Sequence, residues 1–114
     1  MDLLSKKPIF FKFGSDKLSK KGEQAIDSII TLLKKEEIGY NIMIKGHTDG
    51  HGDERYNRIL SQKRADAVKQ YIQKHFDRIE SIKSIGYGSS KPKYKNKKDK
   101  RNRRVEIIID RGTK

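Results

Sequence analysis

At 114 residues the chain has the length of one domain, enough to bury a single core and too short for two of ordinary size. A hydrophobic share of 32% against 38% charged residues makes that core compact and the surface ionic, and 28 lysines and arginines against 15 acids give a net charge of +13, which attracts polyanions of any kind. The absence of cysteine excludes disulfides, thiolate ligands and a cysteine nucleophile, and no stretch of about 18 apolar residues reads as a membrane span.

The opening MDLLSKKPIF has no long apolar core followed by a small-residue cleavage site, so as written the sequence reads as soluble and without an export signal. Residues 1–7 are expected to be a linker or the remnant of a cut from a longer protein. Pro8 to Phe13 is aromatic and β-branched and predicts a strand, with Ile9, Phe11 and Phe13 on one side and Phe10 on the other. Ser19 then caps a helix whose Ile26, Ile29, Ile30 and Leu33 form one apolar stripe, with Gly39 placed to end it. Tyr40 to Gly46 alternates, and the glycine-rich HTDGHGD follows as a loop.

Asp53 is expected to cap a second helix that runs to about Phe76 through Leu60, Val68, Tyr71 and Ile72. Strands are predicted from Ile82 to Gly88 and from Arg104 to Asp110, the latter with Val105, Ile107 and Ile109 on one face. The fold class expected is an α/β (α+β) sandwich of order β-α-β-α-β-β: a four-stranded mixed sheet with two main helices on one face, and at least one antiparallel pair at the end. The domain spans 8–110 and leaves 111–114 as a tail. Between the last two strands, Lys91 to Arg104 holds nine basic residues and one acid, a mobile loop or a binding surface.

Three chemistries are tested against these segments. His47, Asp49, His51 and Asp53 offer zinc-type ligands, but their spacing is not the helical H-E-x-x-H kind and no distant ligand joins them; the plainer reading is a turn. His75 reads as a surface residue or a partner of the helix dipole. There is no G-x-S-x-G elbow for a serine hydrolase and no phosphate-cradling glycine loop. The second helix says more, because Asn57, Ser61 and Arg64 at i, i+4 and i+7 share one face beside the apolar stripe. Asp49, in the loop entering that helix, can be brought opposite the Arg64 guanidinium. Such a pair suits a ligand with both an ammonium and a carboxylate, or is a structural salt bridge, and spacing alone leaves both open.

TDGHGDERYNRILSQKRADAV resembles the signature TDxxGxxxxNxxLSxxRAxxV of the OmpA-like peptidoglycan-binding domain, the OmpA, Pal and MotB type, at Thr48, Asp49, Gly52, Asn57, Leu60, Ser61, Arg64, Ala65 and Val68. FFKFGSDKLSKKG near the start, IGYGSSKP at 85–92 and NRRVEI at 102–107 extend the resemblance from Pro8 to Asp110. It implies a non-enzymatic envelope domain, without cofactor or metal, that binds the diamino-acid residue of the peptidoglycan stem peptide, usually diaminopimelate. It also implies a periplasmic location, with tethering to the outer membrane in the full-length protein. Membrane contact would come only through a parent protein or lipid anchor, and no nucleic-acid partner is expected.

By the same resemblance Asp49 meets the ligand's ammonium and Arg64 its carboxylate. Asn57 and Leu60 line the pocket, Thr48 and Gly52 shape the loop, Phe13, Gly14 and Ser15 form the opposite wall, and Arg104 is carried over from NRRV. Alanine at Asp49 or Arg64 is then expected to abolish binding without disturbing the fold. Two departures stand out: the loop before NRRV is unusually basic for this family, and a wall carrying lysine or ornithine would offer no side-chain carboxylate to Arg64. The competing readings are a basic module for nucleic acid or other polyanions, and behind it a metal-dependent hydrolase. Against the first, no RRM, KH, zinc-finger or helix-turn-helix signature is present.

Overall fold

The computed structural model describes residues 8–112; the linker expected over 1–7 lies outside the described residues. The chain forms β1 (Ile9–Phe10), α1 (Lys20–Leu33), β2 (Tyr40–Gly46), α2 (Glu54–His75), β3 (Ile79–Gly86), a 3-10 turn (Lys100–Asn102) and β4 (Arg104–Arg111). The sheet order is β1-β4-β2-β3, with β2 and β3 parallel and β4 antiparallel to both β1 and β2. The last strand therefore inserts between the first two. Among the described residues no helix is long and apolar enough to cross a membrane.

Helix α1 forms where its stripe and cap predict: Ser19 accepts a hydrogen bond from the Gly22 amide at 3.0 Å, and Ile26, Ile29, Ile30 and Leu33 are all buried. The helix stops at Leu33 and not at Gly39. Beyond Leu33 the run Lys34 to Glu37 supplies no apolar side chain to the core, and the Lys34 and Glu36 carbonyls are taken by the Arg78 guanidinium at 3.1 and 3.0 Å. Helix α2 is capped by Asp53 and buries Leu60, Ala65, Val68 and Ile72. Against these pack Ile42 and Ile44 of β2 and Val105, Ile107 and Ile109 of β4, the inward positions of alternating strands.

Three expected strand boundaries change. The first strand shrinks from Pro8–Phe13 to two residues, because the chain turns after Phe11: the Ser15 amide bonds the Lys12 carbonyl at 3.1 Å, and Gly14 supplies φ +69°. Ile9 and Phe11 stay inward, whereas Phe13 is swung out of the core and is 66% exposed. Strand β3 starts three residues early, since its parallel register with β2 begins at Ile79 opposite Tyr40, and it ends at Gly86. Strand β4 continues through Arg111 into the expected tail, and the Gly112 amide bonds the Gly39 carbonyl at 2.8 Å.

Two close approaches place α2 over the ends of β2 and β3. A side chain at Gly46 would run into the Ser61 carbonyl, and one at Gly86 would meet the Gln62 backbone. With nothing there, Gln62 Oε1 accepts from the Gly86 amide at 2.9 Å and Ser61 Oγ accepts from the Gly88 amide at 2.8 Å. The first half of α2 is thereby held against the loop that leaves β2.

Candidate functional site

Where β2 ends, the chain enters the loop of Gly46 to Gly52, which lies between the turn after β1, the first turns of α2 and the residues before β4. The loop is fixed by its backbone: His47 N donates to Arg104 O at 2.8 Å, Thr48 N to Gly88 O at 2.9 Å and Gly50 N to Lys97 O at 2.7 Å. Asn57, buried on α2, adds a side-chain bond to the His51 carbonyl at 2.9 Å. These elements enclose a cavity of about 90 Å³, lined by Phe13, Gly14, Thr48, Asp49, His51, Gly52, Tyr56, Asn57, Leu60, Arg64 and Arg103. That is far below the several hundred Å³ of a cofactor site and suits the end of one side chain.

Arg64 is the most buried charge in this region, at 0% exposure. It does not form the expected pair with Asp49. Its Nε donates to Ser15 O at 2.8 Å, Nη1 to His47 O at 3.0 Å and Nη2 to Lys12 O at 3.0 Å, and its guanidinium lies 5.3 Å over the Phe11 ring. A guanidinium has five N–H groups, so one remains on each terminal nitrogen. Burial lowers its pKa to about 10, with the Arg103 charge acting in the same direction and Asp49 opposing, so it stays charged at neutral pH.

Asp49 is 3% exposed and is satisfied from two sides. Oδ1 accepts from the His51 amide at 3.1 Å and faces His51 Nδ1 at 3.1 Å; Oδ2 accepts from Arg103 Nη1 at 3.2 Å. Arg103 Nε also donates to the Phe11 carbonyl at 3.0 Å. The Thr48 hydroxyl is buried with no hydrogen-bond partner among the described residues, and Phe13 and Tyr56 stand exposed at the rim, Phe13 edge-on to His51.

Of the residues expected at this site, Phe13, Gly14, Thr48, Asp49, Gly52, Asn57, Leu60 and Arg64 line one cavity. Ser15 stands behind it, contributing its carbonyl to Arg64. Arg104 is a correction: it points to the other side of the sheet, where it bonds Glu106 Oε2 at 2.6 Å and the Lys91 carbonyl at 3.1 Å. Its neighbour Arg103 lines the cavity instead, and His51 and Tyr56 join it. Alternation read back along Ile109, Ile107 and Val105 reaches Arg103 on the inward side and Arg104 on the outward side, so the signal was present in the sequence.

The four residues weighed as metal ligands disperse. His47 stacks on Tyr87 at 5.5 Å and faces Glu106 at 3.8 Å, and Asp53 is occupied in capping α2; only Asp49 and His51 remain neighbours. Among the described residues no group of three or more such side chains is placed to hold a metal ion. Exposed His75 ends α2 against Tyr71, ring centroids 4.3 Å apart.

The sequence matches the OmpA family over residues 10–106. A peptidoglycan-associated lipoprotein of Buchnera aphidicola subsp. Baizongia pistaciae is 36% identical over 103 residues, covering 88% of this chain and 59% of the relative. The chain thus spans about three fifths of that curated relative. Among solved structures, the OmpA-like domain of FopA1 from Francisella tularensis superposes with a TM-score of 0.77 at 29% identity, covering 93% of this chain and 74% of the other. The peptidoglycan-associated lipoprotein from Burkholderia pseudomallei gives 0.76 at 25% identity, covering 91% and 90%.

Proposed function

The chain belongs to the OmpA family, and on that premise we propose that its cavity holds the diamino-acid residue of a peptidoglycan stem peptide, anchoring an envelope protein to the cell wall without a covalent bond. It is a binding domain and not an enzyme. The observation that carries the reading is the charge content of so small a space: one carboxylate, Asp49, and two guanidiniums, Arg64 and Arg103, line a cavity of about 90 Å³.

A side chain ending in both an ammonium and a carboxylate, as in diaminopimelate, answers that arrangement. Its ammonium takes the place of Arg103 beside Asp49. Its carboxylate then meets the two free N–H groups of Arg64 and the released Arg103, while the Thr48 hydroxyl gains a partner. The Asp49–Arg103 contact is a single bond of 3.2 Å, longer than the 2.7–2.9 Å of a strong charge-assisted bond, and an ammonium placed there would replace it like for like. A neutral or singly charged side chain would leave one buried charge without its partner, so selectivity follows from the same geometry. Lysine or ornithine in the stem would supply the ammonium only, and is expected to bind more weakly. The periplasmic side of the envelope is where such a ligand is met, and the proposed anchoring acts there.

Asp49→Asn keeps an acceptor for the His51 amide and removes the charge. It is expected to abolish co-sedimentation with purified peptidoglycan while leaving the circular dichroism spectrum unchanged. The cost should be about 2–5 kcal/mol, as for truncating one partner of a buried charged contact. Wild-type binding should be competed by free diaminopimelate and less by ornithine. Undiminished binding by Asp49→Asn would sink the proposal.

A further inference from the structure

Three of the nine basic side chains between Lys91 and Arg104 have acidic partners: Arg101 pairs with Asp99 at 2.8 Å, Arg103 with Asp49 at 3.2 Å and Arg104 with Glu106 at 2.6 Å. The six lysines at 91, 93, 95, 97, 98 and 100 are exposed, and none forms an ion pair among the described residues. A run of this composition would ordinarily be a loosely solvated tether that spreads its charges apart. Here its backbone is fastened. Asn102, fully buried, accepts from the Lys93 and Tyr94 amides at 2.9 and 3.0 Å and donates to the Asn96 and Lys97 carbonyls at 3.1 and 3.3 Å. Asp99 caps the 3-10 turn through the Arg101 amide at 2.8 Å.

Six like charges are thus held on a fixed frame, outnumbering the nearby acids Asp99 and Glu106, which are themselves paired with Arg101 and Arg104, an arrangement that is relieved when anions arrive. The frame also abuts the cavity. The Lys97 carbonyl accepts from the Gly50 amide in the cavity loop, and Arg103, the residue after Asn102, lines the cavity itself. The chemistry of the patch favours carboxylates over nucleic acid. Its free charges are lysine ammoniums on flexible stems, and it has one aromatic, Tyr94, of which one face is covered by the Arg101 guanidinium at 3.9 Å, a poor platform for successive bases to stack on.

We propose that this loop is a second, electrostatic subsite that engages the free carboxylates of the acidic peptide whose diamino-acid end occupies the neighbouring cavity. The inference rests on the cavity reading above. Each exposed contact is weak, but the cavity tethers the ligand, so the second contact forms at high effective concentration. The subsite would therefore set how strongly the domain distinguishes acidic from amidated stems.

The probes are diaminopimelate alone and the peptide alanyl-γ-glutamyl-diaminopimelate with its glutamate α-carboxylate free or amidated, titrated calorimetrically against the whole chain and its Lys95→Gln/Lys97→Gln/Lys98→Gln variant. The wild type is expected to prefer the free acid about twofold to fivefold, the size of one exposed ion pair. The variant should lose that preference while binding diaminopimelate alone as the wild type does, and lysine-to-arginine replacement at the three positions should restore it. A preference that survives in the variant, or is missing from the wild type that binds diaminopimelate, overturns the subsite alone. A wild type that does not bind diaminopimelate overturns the cavity reading and the subsite with it. Loss of oligonucleotide or anionic-vesicle binding in the variant, with the acid preference intact, gives the loop to another partner and likewise overturns the proposal.

Discussion

Arg64 keeps a full charge in complete burial because three backbone carbonyls, from Lys12, Ser15 and His47, surround its guanidinium. The residue therefore has a structural part as well as a proposed ligand-binding one, joining the turn after β1 to the end of β2. Arg64→Ala would strand those carbonyls, and is expected to lose about 3–5 kcal/mol of stability and to lower the melting temperature by roughly 15 °C or more. This revises the expectation that alanine there leaves the fold untouched, and a calorimetric melt distinguishes the two. His47 makes a pH prediction. Burial, reinforced by the Arg104 charge and only partly offset by Glu106, lowers its pKa from 6.5 to about 4. Between those values the unfolded chain binds the proton more readily, so stability is full above about pH 6.5 and falls as pH drops toward 4, by up to about 3 kcal/mol. The Glu106 pKa is lowered from its ordinary value, because burial, which would raise it, is outweighed by the hydrogen bond and charge of Arg104. Urea unfolding of His47→Phe, which can still stack on Tyr87, should show a flatter dependence from pH 6.5 to 4. The sequence exposed the residue types at this site but not their partners. Asp49 and Arg64 were legible as a charged pair facing one space, whereas Arg64 bonding to carbonyls 49 and 52 residues away was not, since no periodicity encodes a backbone oxygen.

Helix α2 carries Tyr56, Asn57, Leu60 and Arg64 of the cavity wall, and its position depends on two glycines that lie on strands rather than on the helix. Because Gly46 and Gly86 sit directly under the Ser61–Gln62 backbone, the obstruction to any side chain there is main chain that cannot rotate away. Gly46→Ala and Gly86→Ala are each expected to cost stability at the upper end of the roughly 1–3 kcal/mol seen for overpacking. Both should also weaken peptidoglycan binding, because lifting α2 moves Asn57 and Leu60 away from Asp49; urea unfolding together with a pull-down would register the two effects. At this scale the sequence was most informative where one face of an element meets the core. The stripe of α1, the alternation of β2 and β4 and the caps at Ser19 and Asp53 all appear as expected. It was least informative at β1, where an aromatic run that could have continued as a strand is bent away by Gly14 and by the capture of the Lys12 and Ser15 carbonyls.

For the whole molecule, a net charge of +13 would suggest a general polyanion binder, yet the densest basic run, Lys91 to Arg104, lies beside a small mixed-charge cavity. Binding through phosphate contacts would fall by about 10³–10⁵ between 50 and 200 mM salt. Recognition of a zwitterion by buried charges is screened far less, so affinity for peptidoglycan is expected to change by no more than about tenfold over the same range, as a pull-down at graded salt would measure. The order β-α-β-α-β-β, the mixed sheet and the family could be read from the sequence because hydrophobic period, caps and a fixed-spacing motif are local along the chain. Two things were decided only in three dimensions: that β4 inserts between β1 and β2, and that the basic loop is fastened beside the cavity by the Lys97 carbonyl on the Gly50 amide. Each depends on hydrogen bonds between residues far apart in sequence, and such bonds are chosen by the packing of the finished sheet and helices.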